Sequence, residues 1–318
     1  MDESQFNTAI AFFIFNRPET TQLVFDEIKK IKPKKLFIIA DGPRNYVQGE
    51  YEKCMGARAI IDTVDWTCDV LKNFSETNLG CKVRISSGIS WVFEHVEEAI
   101  ILEDDCVPDP SFFPFCQIML KQYSDDKRIM MISGSNFVFE NEFFKDTYYF
   151  SQYFPIWGWA TWKRAWEKYD IDMVKWPEFK KEKVLDAIFP NKLFVHYFER
   201  IFDDVYGGRD DTWDAQWVFT CLTEGGLCIM PSKNLVSNIG ISGTRVQMEK
   251  LIGKQRFSLD LARIKDPDFF LVNPTIQEYE MKKLLEMARY SYLKYYATKI
   301  LKKLKLFDFV EKIYLDKK

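Results

Sequence analysis

The chain predicts an α/β fold, a mostly parallel, twisted sheet flanked by helices. Three observations carry this. Short apolar runs alternate with helical patterns through the first 135 residues, as expected of successive strand–helix units. The runs 8–15, 35–40 and 99–102 are apolar nearly throughout, which suits strands covered on both faces. Each run then stops at polar or turn-forming residues: Asn16-Arg17-Pro18, Asp41-Gly42 and Glu103-Asp104-Asp105. Ligands bind at the carboxyl ends of strands in such sheets, so the three polar ends point to one shared site.

The elements follow in order. Residues 8–15 make the first strand, and residues 20–31 a helix with Leu23, Ile28 and Ile31 inward. A second strand at 35–40 leads to a helix over 49–64 and a strand near 68–74. Ser86 or Ser87 caps a helix that puts Ile89, Val92, Phe93 and Val96 on one face. The strand at 99–102 precedes a helix starting near Ser111, after residues 128–133 the pattern loosens, and Trp157-Gly158-Trp159-Ala160-Thr161-Trp162 leads into a helix carrying Trp166. Helical stretches near 178–189 and 192–203 come before Gly207-Gly208-Arg209, and Asp214 opens a helix to about Thr223. A strand at 227–230 and a loop over 231–244 close the main unit, which divides into halves of about 1–135 and 136–245. Residues 246–318 read as a helical extension with a basic amphipathic end.

Composition narrows the chemistry. With 318 residues, 47% hydrophobic and 29% charged, the chain can bury a large core. A net charge of −3 leaves no footprint for nucleic acid. Cysteines 54, 68, 81, 106, 116, 221 and 228 are odd in number and contain no CxxC pair, which argues against a disulfide framework or a zinc site and fits a reducing cytosol. Met1-Asp2-Glu3-Ser4 is acidic where a signal peptide is basic. His95 and His196 are the only histidines, so a His-rich metal site cannot be built and a general base is expected to be a carboxylate.

The stretch Ala99-Ile100-Ile101-Leu102-Glu103-Asp104-Asp105 is the most informative. Three adjacent carboxylates repel one another at a strand end, and a hard divalent cation, Mg²⁺ or Mn²⁺, gives them a reason to sit there. The plain alternative is a solvated acidic turn whose Asp109 caps the next helix. At the other end of the chain, residues 291–318 hold eight lysines and three acids, a net of +5. Leu293, Tyr296, Ile300, Leu304, Phe307, Val310 and Tyr314 recur there at helical spacing. Either this helix docks on the main domain, or it lies on an anionic membrane, where each lysine contributes about 1 kcal/mol.

Taken in order, these features resemble the GT-A-fold glycosyltransferases, above all N-acetylglucosaminyltransferase I and bacterial nucleotide-sugar transferases related to it. The resemblance spans roughly residues 8–245. Glu103-Asp104-Asp105 with Pro110-Ser111-Phe112-Phe113 is similar to that family's DXD-like metal motif and following helix. Phe154-Pro155-Ile156-Trp157-Gly158-Trp159 is similar to its acceptor-side loop, and Trp213-Asp214-Ala215-Gln216-Trp217 to its base-bearing segment. The resemblance implies that Asp105, with Asp104, ligates Mn²⁺ or Mg²⁺ on the donor diphosphate. It implies that Arg17, Asp41, Arg84, Glu103, Asp104 and Arg245 hold the nucleotide, Trp157 and Trp159 meet the acceptor, and Asp214 takes the proton of the acceptor hydroxyl. The base motif reads Asp-Ala rather than paired Asp, so Asp210 and Asp211 remain rivals to Asp214. Arg245 stands where several bacterial relatives carry histidine.

The activity so implied is metal-dependent, inverting transfer of a sugar, by default N-acetylglucosamine from a UDP-linked donor, to a glycan or lipid-linked oligosaccharide in bacterial surface polysaccharide or glycan synthesis. The expected location is cytoplasmic, at the inner face of the plasma membrane if the basic segment binds it. Two other classes compete. A sugar-1-phosphate nucleotidyltransferase needs a Gly-rich basic loop after its first strand, where this chain has Asn16-Arg17-Pro18-Glu19. A noncatalytic carbohydrate-binding protein on the same fold has no need for the acidic triplet together with Asp214.

Overall fold

The computed structural model of the protein describes residues 6–136, 138, 144–189, 191–240 and 256–283. Its centre is an eight-stranded sheet built from β1 (Ala9–Ile14), β2 (Lys35–Ala40), β3 (Asp69–Phe74), β4 (Glu98–Glu103), β6 (Ile129–Ser133), β7 (Tyr148–Ser151), β8 (Trp159–Trp162) and β9 (Leu227–Pro231). The strand order is β3-β2-β1-β4-β8-β6-β9-β7. Pairings from β3 to β4 are parallel, as is β6 with β9, while β8 and β7 run antiparallel to their neighbours. The expected α/β sheet is therefore present and mostly parallel. A short ribbon pairs β5 (Cys106–Pro108) with β10 (Val236–Asn238).

The continuous apolar strands explain two cores, one on each face. In β1, Ala9, Ala11 and Phe13 join one core while Ile10, Phe12 and Ile14 join the other. Period-2 geometry makes this division automatic. The second core is closed by α1 (Pro18–Ile31), through Val24, Phe25 and Ile28, and by α4 (Phe112–Gln122). The first is closed by α3 (Gly80–Phe93), α8 (Lys192–Tyr206) and α9 (Asp214–Thr223). The short α5 (Lys163–Trp166), α6 (Trp176–Lys181) and α7 (Val184–Ile188) also lie on that side, and α2 (Glu50–Ile60) packs beside α1. All seven cysteines are free thiols.

Several expectations need correction. Leu23 is 51% exposed rather than inward, because the buried face of α1 runs through Thr21, Val24, Phe25 and Ile28. The helix α3 starts at Gly80, nearly two turns before Ser86 and Ser87, whose hydroxyls donate to Lys82 and Arg84 carbonyls inside it. The stretch 154–159 likened to an acceptor-side loop ends in a strand, and the chain reaches the helix of Trp166 through it: Trp159–Trp162 is β8, inserted between β4 and β6. The loop at 231–244 contains β10. In the extension, residues 256–273 lack regular helix and residues 274–283 are helical.

Residues 256–283 return across the main sheet. Arg256 pairs with buried Glu27 at 2.6 Å, Ser258 Oγ donates to Asp109 at 2.9 Å, and Phe270 packs on Phe150 with ring centroids 4.2 Å apart. Glu280 is 1% exposed and accepts from Tyr149 Oη at 2.9 Å and Ser151 Oγ at 2.8 Å. No helix among the described residues is long and apolar enough to cross a membrane. The basic segment 291–318 lies outside the described residues.

Burial pushes the Glu280 carboxyl up to about 7, against the two hydroxyls that favour its ionised form. A carboxyl whose pKa rises on folding adds stability while protonated and loses it as pH climbs through the folded value. Between about pH 4.5 and 7 the protein should therefore lose stability through this group, by at most roughly 1.4 kcal/mol per pH unit. Melting curves across that window should show the loss in the wild type and a flatter profile in Glu280→Gln.

Candidate functional site

The site forms where β1, β2 and β4 end together. Arg17 closes β1 and opens α1. Pro18 sits at the first helical position, and the Arg17 carbonyl accepts from Thr21 N at 2.9 Å. This fixes the Arg17 backbone and sends its side chain over the turn after β4. There Nη1 donates to Asp105 Oδ2 at 2.8 Å and Nη2 to Asp104 Oδ1. Phe15 N donates to Asp104 Oδ2 at 3.1 Å. Asp104 and Asp105 are 2% and 1% exposed, whereas the Arg17 side chain is 36% exposed and lies on their solvent side. Burial pushes Asp104 up to about 6 even with Arg17 beside it. Burial works against the charge on Arg17, yet the two carboxylates hold its guanidinium above the usual arginine range. Glu103 ends β4, partly exposed and in register with Phe13.

The β5–β10 ribbon supports this turn from below. Ile239 N donates to the Asp105 carbonyl at 2.8 Å, and Asn238 Nδ2 lies 3.5 Å from Asp105 Oδ1. Gly240 passes so close that a Cβ there would come within 2.2 Å of Asp105 Oδ2. Gly158, at φ +61°, makes room for Val236 of the same ribbon, since a Cβ there would approach Val236 Cγ2 to 2.7 Å.

A second charged network lies beside the first. Asn16 Nδ2 donates to Glu50 Oε1 at 2.7 Å, and Arg44 Nε and Nη2 fork across the same carboxylate. Those bonds, the Arg44 one foremost, hold buried Glu50 down at about 2. Arg44, Tyr46, Tyr51 and Asn78 line a cleft of about 740 Å³ past the ends of β2 and β3. Glu50 and Arg44 were not singled out by sequence. A Glu at the first position of a helix reads as ordinary dipole compensation, and only the fold brings it to Asn16.

Asp41 sits at the predicted strand end but is committed to the start of α3. Its Oδ1 accepts from Gly42 N at 2.8 Å and Leu79 N at 2.9 Å, and its Oδ2 from Asn78 Nδ2 at 3.0 Å and Gly80 N at 3.2 Å. Arg84, 6% exposed, donates through Nη2 to the Asn73 carbonyl at 2.6 Å. Burial draws its pKa down, opposed by the charge of Asp41. Both residues thus brace the site's wall.

Asp211 caps the same helix from the other side, accepting from Cys81 N at 3.0 Å. Asp214 opens α9 half-buried. Its Oδ1 accepts from Thr212 Oγ1 and from Ala215 N at 2.8 Å, and no hydrogen bond to Oδ2 occurs among the described residues. Asp210 is held above the usual carboxylate range by burial and by Asp214.

Trp159 is a correction. It is 1% exposed, stacked on Trp213 with centroids 5.6 Å apart, and so has no face to offer an acceptor. It belongs to a cluster with Trp166 and Trp217 that holds the segment before Asp214. Tyr169 stacks on Trp166 and donates to the Trp213 carbonyl at 3.1 Å. Trp157 keeps partial exposure. Arg245 lies outside the described residues.

No group of three His, Cys, Asp or Glu side chains that could hold a metal occurs among the described residues. Asp104 and Asp105 supply two carboxylates. Mg²⁺-type cations are commonly held by one or two carboxylates together with waters and substrate phosphates. The donor set therefore fits such a cation in company with a phosphate-bearing substrate, and not as a closed protein cage.

No protein-family model matches the chain, and no curated protein matches it. Among solved structures it is similar to the inositol-1-phosphate CTP transferase from T. maritima, with TM-score 0.38 and 8% identity over 81% of this chain and 100% of that one. It is also similar to a UDP-glucose pyrophosphorylase complexed with UDP-glucose, with TM-score 0.28 and 9% identity over 51% of this chain and 79% of that one. Likenesses this distant leave function to be read from the site.

Gly240→Ala tests how tightly the ribbon packs on Asp105. The added methyl must displace either the carboxylate or the backbone, and overpacking of this kind costs about 1–3 kcal/mol. A lowered melting temperature is the expected outcome.

Proposed function

We propose that this protein is a metal-dependent, inverting glycosyltransferase acting on a nucleoside-diphosphate sugar. The coarser reading, an enzyme handling a nucleotide-linked sugar, underlies it. One observation supports it above the rest. The buried pair Asp104 and Asp105 with Arg17 lies at the carboxyl ends of the central strands, and α3 joins that rim to the segment bearing Asp214. A diphosphate needs cations where charge builds on it, and the acceptor hydroxyl needs a base on the far side of the sugar.

The residues divide the work accordingly. Arg17 forks onto phosphate oxygens, for which guanidinium geometry is well suited. Asp104 and Asp105 would hold Mn²⁺ or Mg²⁺, with Glu103 alongside, and such a cation would supply positive charge against the diphosphate. The cleft at Arg44 and Tyr46 takes the nucleoside end, with Asp41 and Arg84 bracing the chain behind it, and Arg245 adds a further positive charge. Trp157 flanks the acceptor. Asp214 Oδ2 accepts the hydroxyl proton as the new C1–O bond forms and the bond from C1 to the diphosphate breaks. Attack from the face opposite the leaving group inverts the anomeric carbon, with no sugar-bound enzyme.

The second reading is a sugar-1-phosphate nucleotidyltransferase, the kind of activity both similar solved structures bear by name. The move from β1 straight into α1 through Asn16-Arg17-Pro18 counts against it, because no glycine-rich phosphate loop intervenes. Products separate the two. With UDP-N-acetylglucosamine and Mn²⁺, release of UDP supports sugar transfer; formation of UTP on adding pyrophosphate supports nucleotidyl transfer. Asp214→Asn should cut UDP release about 10²–10⁴-fold while leaving UDP affinity within a factor of two. UDP release at the wild-type rate would move the base to Asp210 or Asp211.

We also propose that residues 291–318 hold the enzyme on an anionic membrane where a lipid-linked acceptor is assembled. The motive is their net charge of +5 and apolar residues at helical spacing. Co-sedimentation with phosphatidylserine vesicles should be strong at low salt and lost near 1 M, where the Debye length is about 3 Å. Equal binding to neutral vesicles, or none to either, favours a docking helix instead.

A further inference from the structure

The function proposed above asks one guanidinium to serve two partners. Arg17 is to grip a diphosphate, yet it already bridges Asp104 and Asp105, the two carboxylates a metal needs. The carboxylate oxygens are otherwise engaged: Phe15 N donates to Asp104 Oδ2, while Asp105 Oδ1 faces Cys106 Sγ and Asn238 Nδ2, each 3.5 Å away. A cation entering from solvent therefore meets Arg17 first, because the carboxylates are almost fully buried beneath it.

Two cations cannot share those oxygens at contact distance without strong repulsion, least of all away from water. Arg17 has few places to go. Its backbone is locked by Pro18 and by the bond from Thr21 N, so only the side chain can turn. The nearby carboxylate of Glu50 is already forked by Arg44 and bonded by Asn16. A diphosphate beside the turn supplies the missing anion.

We propose that Arg17 is an internal counter-ion that a divalent metal must displace from Asp104 and Asp105, so that metal and nucleoside diphosphate bind as a mutually dependent pair. This rests on the nucleotide-sugar reading of the site. Metal alone strands Arg17 without a partner. Diphosphate alone draws Arg17 away from two buried carboxylates and leaves them uncompensated. Together the ligands satisfy all three groups. Linkage then requires each ligand to tighten the other by the same factor.

Titration calorimetry on the full chain tests this with Mn²⁺ alone, UDP alone, and each in the presence of the other. In the wild type, UDP should tighten Mn²⁺ at least 10-fold, and Mn²⁺ should tighten UDP equally. Arg17→Met, which removes the competing charge, should bind Mn²⁺ alone about 10-fold more tightly than the wild type and UDP alone more weakly. Arg17→Lys, which keeps a charge but cannot bridge both carboxylates as a fork, should fall between them, and it preserves the test if the methionine variant does not fold. The variant comparison is decisive, because direct coordination of phosphate by Mn²⁺ also couples the ligands but predicts no gain for Mn²⁺ alone. Mn²⁺ affinity in the wild type that is indifferent to UDP, or no gain in either variant, overturns the proposal while nucleotide binding stands. Absence of UDP binding with or without Mn²⁺ overturns the nucleotide-sugar reading as well.

Discussion

Two carboxylates side by side in a nearly dry turn must be neutralised, and most of the site's construction serves that requirement. Asp104 and Asp105 lie where β4 stops, beneath the Arg17 side chain. Arg17 can reach them because Pro18 begins a helix immediately after β1 and turns the arginine across the neighbouring strand end. The β5–β10 ribbon and the backbone just after it then close the far side of Asp105, and a glycine stands at 240 because a Cβ there would meet that carboxylate. An ion pair this buried does little for net stability, since desolvation offsets much of the attraction. Its worth is in fixing two carboxylates in one place.

The central strands were legible because they are apolar on both faces, and no other element leaves that mark. Residues 35–40 match β2 to the residue, and the strands at 8–15 and 99–102 miss only their terminal positions. The three polar strand ends do fall at one edge of the sheet. The strands that escaped are short or aromatic. β8 reads Trp-Ala-Thr-Trp, with indoles that suit a loop or a helix equally well, and β10 has three residues stabilised by pairing with β5. Their existence depends on partners distant in sequence, which periodicity cannot register.

Side-chain roles were legible in type and less so in use. Asp41 and Asp211 are acids near the site, yet each spends its oxygens on the amino end of α3, whose start the serines at 86 and 87 obscured. Trp159, which the resemblance set against an acceptor, is instead a core residue beneath Asp214's segment. Glu50 carried no local signal, because its importance arises from Asn16 and Arg44 meeting on it. Composition identifies which groups can do the chemistry, and packing decides which remain available.

The place of β8 has a consequence for how the chain comes into being. Residues 159–162 pair with β4 on one side and β6 on the other, so the first four strands have no finished border until some sixty residues after β4 have been synthesised. A nascent or truncated chain ending near 135 presents the flat, apolar edge of β4, with Ile100 and Ile101 along it and its backbone groups unpaired. Such an edge invites pairing with another copy. The first half is thus not a separable module: a fragment cut at the boundary between the halves would be expected to aggregate, and fusion or display designs must keep β8 attached to the strands it seals.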